Sequence, residues 1–131
     1  MFTFDNNVLK FFLAENIDFL SNSRIQKIQQ PSRRELILLL RKHSETKKLY
    51  ININPQFYHL CFISKENEIL RNIKIPQKPP MFCMQLRKYL ENALITRVHQ
   101  PENERIIEIF VETYNEISEK IELCLAVELF P

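Results

Sequence analysis

Val8, Leu9, Phe12, Leu13, Ile17 and Leu20 recur at three- and four-residue spacing. That spacing lays an apolar stripe along one side of a helix. The chain is therefore expected to begin with an amphipathic helix, capped by Asp5-Asn6-Asn7 and ending near Ser21-Asn22-Ser23. Beyond it the pattern becomes that of strands. Arg24 to Gln29, Glu35 to Arg41, Lys48 to Ile53 and Phe57 to Ile63 are separated by Pro31-Ser32, His43 to Thr46 and Asn54-Pro55. Ser64 to Lys78 is polar and weakly periodic, so it reads as a long surface connection with room for one short strand around Ile73 and Ile75. Pro79-Pro80 then opens a second helix, Met81 to Glu91, because the first helical N–H needs no partner. Phe82, Cys83, Leu86 and Leu90 are assigned to its inner side, and Arg87 and Lys88 to its outer side.

Three strands complete the pattern: Ile95 to Gln100, Arg105 to Thr113 and Lys120 to Phe130. In the last, Ile121, Leu123, Leu125, Val127 and Leu129 occupy every second position, the clearest strand signature in the chain. Strands interrupted by two helices, without βαβ alternation, predict an α+β fold built on an antiparallel sheet or β-sandwich. No internal repeat and no domain boundary is apparent, so residues 1–131 are read as a single domain.

Composition removes whole classes of function. The 131 residues contain no glycine, where average usage near 7% predicts about nine. The GxGxxG and GxxxxGK[ST] phosphate loops and the GxSxG nucleophile elbow are therefore absent. Cys61, Cys83 and Cys124 are odd in number, widely spaced and set in apolar runs, which predicts buried free thiols in a reducing compartment. The start, Met-Phe-Thr-Phe-Asp, has no basic n-region, and no apolar run approaches 18 residues. A cytoplasmic protein with no membrane association is the expectation.

Catalytic and metal chemistry find little support. His43, His59 and His99 are far apart, and neither CxxC nor HxxxH occurs. His59 and Cys61 share a strand face but lack a second close pair of ligands, so Cys61 is assigned to the core and His59 to a half-buried strand position. The C-terminal glutamates sit at strand spacing opposite apolar residues, as on a solvated sheet face. No catalytic residue, metal site or cofactor is expected.

Charge is more informative. From Arg24 to Lys48 eight basic residues face two acidic ones, a net +6, whereas from Glu102 to Pro131 eight glutamates face Arg105 and Lys120, a net −6. The basic stretch points to a polar partner, nucleic acid or phosphate, the alternative being that both stretches are solvated faces of strands. Arg24, Lys27, Arg33, Arg34, Arg41, Lys42 and Lys48 are interleaved with Gln26, Gln29, Gln30 and Tyr50, and Arg87, Lys88 and Arg97 add a second cluster. Of these, Arg24, Lys27, Arg33, Arg34, Arg87, Lys88 and Arg97 are the candidate phosphate contacts.

One segment is far more specific. Pro79-Pro-Met-Phe-Cys-Met-Gln-Leu-Arg-Lys-Tyr-Leu90 resembles the PPMFCMxLRKxL stretch of the NFACT N-terminal domain family. That family is also labelled fibronectin-binding-protein-A-like and includes RqcH-type ribosome quality-control factors. Phe4-Asp5 resembles its opening Phe-Asp-Gly. Arg24-Ile-Gln-Lys-Ile-Gln-Gln-Pro31 resembles RIxKIxQP, and Gln100-Pro-Glu-Asn-Glu-Arg-Ile-Ile107 resembles QPGxDRII. The resemblance implies a β-sandwich with two helices, related to the N-terminal domain of formamidopyrimidine-type DNA glycosylases. It does not imply base excision, because Met1-Phe2-Thr3 lacks those enzymes' N-terminal proline nucleophile.

What the resemblance does imply is a binding module. Family members bind the large ribosomal subunit carrying an obstructed nascent chain. They recruit tRNA, typically alanyl-tRNA, to extend that chain without a template. The positions matching the family's tRNA-linked residues are Asp5, Glu104 and Arg105, with glutamate at 104 where the family has aspartate. The alternatives implied are an extracellular-matrix (fibronectin-binding) adhesin domain, or a scaffold without a ligand of its own. The resemblance further implies an N-terminal piece of a longer protein lacking its last strands, with an exposed edge strand through which it can self-associate. Where the family motifs carry glycine, this chain mostly carries asparagine or another polar residue, so Asn6, Asn22 and Asn92 are expected at left-handed backbone positions.

Overall fold

The computed structural model describes residues 6–129. In chain order it runs α1 (Asn6–Leu20), β1 (Arg24–Gln29), β2 (Glu35–Lys42), β3 (Glu45–Asn52), β4 (His59–Ile63), α2 (Lys65–Leu70), α3 (Met81–Leu90), β5 (Leu94–His99), β6 (Ile106–Tyr114) and β7 (Lys120–Glu128). All strand pairings are antiparallel. The α+β antiparallel architecture is thus as the pattern predicts. The seven strands form one continuous sheet, in the order β4-β3-β2-β1-β5-β6-β7.

Its two halves touch in register only at Arg24↔Leu94, and the sheet folds about that joint. The inner faces of both halves then share one core. Ile25, Leu38, Leu40 and Leu49 come from one half, Ile95, Ile107, Ile109 and Val111 from the other, and Leu9, Leu13, Leu20, Cys83 and Leu90 from the helices.

The joint contains a duplication that the sequence pattern did not disclose. Adding 70 to a residue number carries one side onto the other. Asn22 N–H donates to the Ile95 carbonyl and Asn92 N–H to the Ile25 carbonyl, both at 2.7 Å. Ile25 N–H donates to Ala93 at 2.9 Å and Ile95 N–H to Ser23 at 2.8 Å. The helix ends repeat too: Ser23 N–H reaches the Leu20 carbonyl and Ala93 N–H the Leu90 carbonyl. Register shifts fall between Ile25 and Lys27 and between Ile95 and Arg97. The residues responsible are Leu20-x-Asn22-Ser23-x-Ile25-x-Lys27-Ile28-x-Gln30-Pro31 and Leu90-x-Asn92-Ala93-x-Ile95-x-Arg97-Val98-x-Gln100-Pro101. The reading that the chain holds no internal repeat is therefore corrected. The domain pairs two helix–turn–strand units about a local two-fold through the β1–β5 joint.

Asparagine occupies the turn of each unit, with φ of 68° at Asn22 and 67° at Asn92. Asn72 and Asn103 are left-handed as well, whereas Asn6 falls in α1. Asparagine tolerates this conformation better than other residues with a side chain. Replacing Asn22 or Asn92 with alanine should cost about 1 kcal/mol, and replacing either with glycine should leave stability within about 0.5 kcal/mol. Urea denaturation of the four variants checks this.

The connection after β4 differs from expectation. No strand forms around Ile73 and Ile75; instead Ser64 and Asn67 cap the short helix α2 reciprocally, side chain to backbone N–H in both directions. Ile73 then packs on the outer face of the sheet against a second cluster, Ile37, Tyr50 and Ile63.

There the Tyr50 hydroxyl donates to Glu35, and the Arg71 guanidinium lies over the tyrosine ring. Burial first, and then the Glu35 carboxylate, push the Tyr50 hydroxyl well above the usual tyrosine range. The unfolded chain thus releases this proton near pH 10 while the folded chain retains it. Stability from this site is complete below that pH and is lost as pH rises beyond it. Urea midpoints taken between about pH 9 and 11 should fall with pH, and Tyr50→Phe should flatten that fall.

Candidate nucleic-acid interface

The Gln100–Arg105 turn is shaped by its own side chains. Gln100 Nε2 donates to the Glu104 carbonyl at 2.7 Å, Glu104 N–H donates to Pro101, and Asn103 supplies the left-handed step at φ 60°. Glu104 is exposed. Arg105 is half-buried: its guanidinium packs 5.0 Å from the Tyr58 ring and donates to the Tyr58 hydroxyl. Arg105 therefore ties the start of β6 to the approach to β4 as well as presenting a cation. Asn7 and Lys10 of α1 line one groove of about 490 Å³ with Gln100, Pro101, Glu102 and Asn103. The fold thus sets the start of α1 across a groove from Gln100 to Asn103, while the Arg105 guanidinium is directed to Tyr58 instead. Asp5 itself lies outside the described residues.

The candidate phosphate contacts separate into distinct environments. Arg24 is exposed and donates to the Asn92 carbonyl at 2.7 Å. Arg41, a member of the basic cluster but not one of the candidate contacts, lies directly opposite it across β1–β2. Lys42 of the same cluster donates to the Asp18 and Ser21 carbonyls and so caps α1, whose own last turn has no basic residue. Arg24, Gln26, Arg41, Lys42 and His43 line a polar groove of about 510 Å³ at the β1–β5 joint. The signal that marks Arg41 is pairing register, which periodicity alone does not reveal.

Lys27 is exposed on β1. Arg33 and Arg34 are exposed in the β1–β2 turn, where they line a separate groove with Gln30 and Phe82. Arg97 stacks 4.0 Å from the Phe110 ring. Arg87 is half-buried and donates through Nε to the Ile28 carbonyl at 2.9 Å, so it pins α3 to β1 rather than standing free on the outer face. Lys88 is exposed but pairs with Glu116 at 3.5 Å. The structure therefore gathers Arg24 with Arg41 and Lys42, sets Arg105 against Tyr58, and leaves Arg87 and Lys88 out of both.

Two further assignments change. Phe82 is 54% exposed rather than buried, while Cys83 and Leu90 do face the core. Of the cysteines, Cys83 is buried, Cys61 half-buried and Cys124 exposed. Burial raises the Cys61 thiol against the opposing pull of Arg71, and burial and then Glu108 raise Cys124. Both favour the neutral thiol over the nucleophilic thiolate. Among the described residues no three His, Cys, Asp or Glu side chains group as metal ligands would. No described helix is long and apolar enough to cross a membrane.

Comparison with known proteins agrees over nearly the full chain. The chain is 36% identical over 127 residues to the Rqc2 homolog RqcH of Streptococcus pneumoniae, covering 97% of this chain and 22% of that protein. It is 31% identical over 112 residues to the Rqc2 homolog RqcH of Bacillus subtilis, covering 84% and 18%. The chain thus spans about a fifth of the length of these relatives. Among solved structures, the N-terminal domain of fibronectin-binding protein PavA from S. pneumoniae matches with a TM-score of 0.88 and 36% identity, covering 98% of this chain and 46% of that one. The N-terminal part of the fibronectin/fibrinogen-binding protein from Streptococcus suis matches with a TM-score of 0.88 and 33% identity, covering 98% and 46%. The family model described as NFACT N-terminal and middle domains matches residues 5–131, and the chain belongs to that family.

Proposed function

We propose that this chain is a tRNA- and large-ribosomal-subunit-binding module of a cytoplasmic quality-control factor, which recruits alanyl-tRNA to extend stalled nascent chains without a template. In this reading it is not an enzyme, because peptide transfer belongs to the ribosome. The observation that supports the reading is the groove shared by the start of α1 and residues Gln100 to Asn103, the turn that leads into Glu104 and Arg105. These are the segments whose motifs match the family's tRNA-linked positions. The relatives named as Rqc2 homologs support the ribosomal setting.

Cosedimentation tests the proposal. The chain should pellet with large ribosomal subunits that carry a peptidyl-tRNA, and not with small subunits. Equal pelleting with both, or with neither, contradicts it.

The names of the solved neighbours favour a second reading, a fibronectin-binding domain. The net +6 of residues 24–48 fits the RNA reading without selecting against the second. Direct binding separates the two. Self-association through the edge of β7, the last strand in the sheet order, belongs to the same proposal and is read by sedimentation velocity.

A further inference from the structure

Register pairing places Thr46, Arg41, Arg24, Leu94, Glu112 and Glu122 in a single row across β3, β2, β1, β5, β6 and β7. Residues paired in this way share one face of the sheet, here the outer one. The row is cationic on one side of Leu94 and anionic on the other, so the charge changes sign at the local two-fold.

Two features mark its cationic end as more than solvated surface. Arg24 and Arg41 stand directly opposite each other, a like-charge arrangement that costs stability. No carboxylate among the described residues pairs with Arg24, Arg41 or Lys42. The duplication supplies an internal comparison: at the matching place in the second unit, Leu94 lies opposite Glu112. The same joint therefore folds without an arginine pair, and its backbone geometry does not require one.

We propose that Arg24 and Arg41, assisted by Gln26 and the charge of Lys42, form a phosphate-backbone site distinct from the Arg105 turn. An RNA strand lies along the β1–β2 side of the joint and is turned away from β6–β7 by Glu112 and Glu122. The inference rests on the RNA-binding reading. The Asn92 carbonyl holds the Arg24 head in place, so the cation is positioned before the ligand arrives. Thr46 Oγ1 does the same for Arg41 at 3.0 Å.

The test uses an unmodified tRNA transcript and fluorescence anisotropy across a salt series. Arg24→Leu installs the residue of the two-fold-related position, and Arg41→Gln removes the facing charge. Each variant should stay folded with an unfolding temperature equal to or above that of the wild type. Each should lose roughly tenfold in affinity and lower the slope of log K against log salt by about one. Glu112→Gln should raise affinity.

Unchanged affinity and slope in both arginine variants, with wild-type binding intact, would overturn this site and leave the RNA reading standing. A loss of stability with no change in slope would make the pair structural, and also overturns it. Conversion of a wild-type dimer to monomer by Arg24→Leu assigns the row to contact with a second copy instead. Absence of any wild-type RNA binding removes the site and the functional reading together.

Discussion

Ile95→Ala should destabilise the domain by about 3 kcal/mol and lower its unfolding temperature by roughly 10 °C, and Ile25→Ala should do nearly the same. Both side chains are fully buried. They occupy equivalent places beside the joint, where each backbone both donates to and accepts from the opposite unit. Truncating either removes apolar burial and leaves a cavity that two folded-over half-sheets cannot readily collapse. Chemical denaturation of the two variants measures the loss. Agreement within about 1 kcal/mol fits the two-fold arrangement, because equivalent sites with equivalent neighbours incur similar cavity costs. A large loss at one and a negligible loss at the other would mean that the halves are packed differently and only the turns are alike.

The duplication was hard to read because so little of it is in the hydrophobic pattern. β2 reads Glu-Leu-Ile-Leu-Leu-Leu and buries side chains on both faces, since Tyr50, Ile63 and Ile73 pack with Ile37 on its outer side; the burial of β6 alternates from Ile106 to Val111. Only the turn-and-strand junction repeats, and its markers are asparagines that resemble ordinary loop residues. The lack of glycine hid the turns in the same way, although Asn22 and Asn92 were recognisable once the family's glycines were set beside them. Core strands and the two longer helices were legible because 2.0 and 3.6 residue periods follow directly from one-sided burial. α2 was not, since a six-residue helix has no stripe and rests on the Ser64–Asn67 cap. Four-residue spacing groups Phe82 with Leu86 and Leu90, but a ten-residue helix that buries Cys83 and Leu90 and half-buries Leu86 turns Met81, Phe82, Met84 and Tyr89 outward. Within the candidate site, Arg24 and Arg105 were visible as residue types in motifs, whereas Arg41 acquired meaning only from its cross-strand partner.

Arg105→Ala should weaken tRNA binding roughly tenfold, the loss expected for one charge-assisted contact. It should also cost about 1 kcal/mol of stability, because the guanidinium packs on Tyr58 and bonds its hydroxyl. Tyr58→Phe separates these effects. It removes the hydroxyl acceptor while keeping the ring and the cation, so stability should fall by up to about 1 kcal/mol with tRNA affinity retained. If Tyr58→Phe weakens tRNA binding as much as Arg105→Ala does, the arginine acts by holding the two segments together rather than by meeting RNA. Glu104→Asp restores the carboxylate length of the family motif and, with Glu104 exposed, should leave the fold unaltered. Its effect on tRNA affinity measures the carboxylate's part in the contact.

RNA recognition through the basic half of the chain and the Arg105 turn can be tested against fibronectin binding in one experiment. The most direct measurement is side-by-side titration of the purified chain with labelled tRNA and with fibronectin at about 50 mM and about 200 mM salt. The expected result is tRNA binding that weakens steeply with salt and is reduced by Arg105→Ala, with fibronectin binding absent at the higher salt. Fibronectin binding that persists at the higher salt, with no tRNA binding at either, would contradict it.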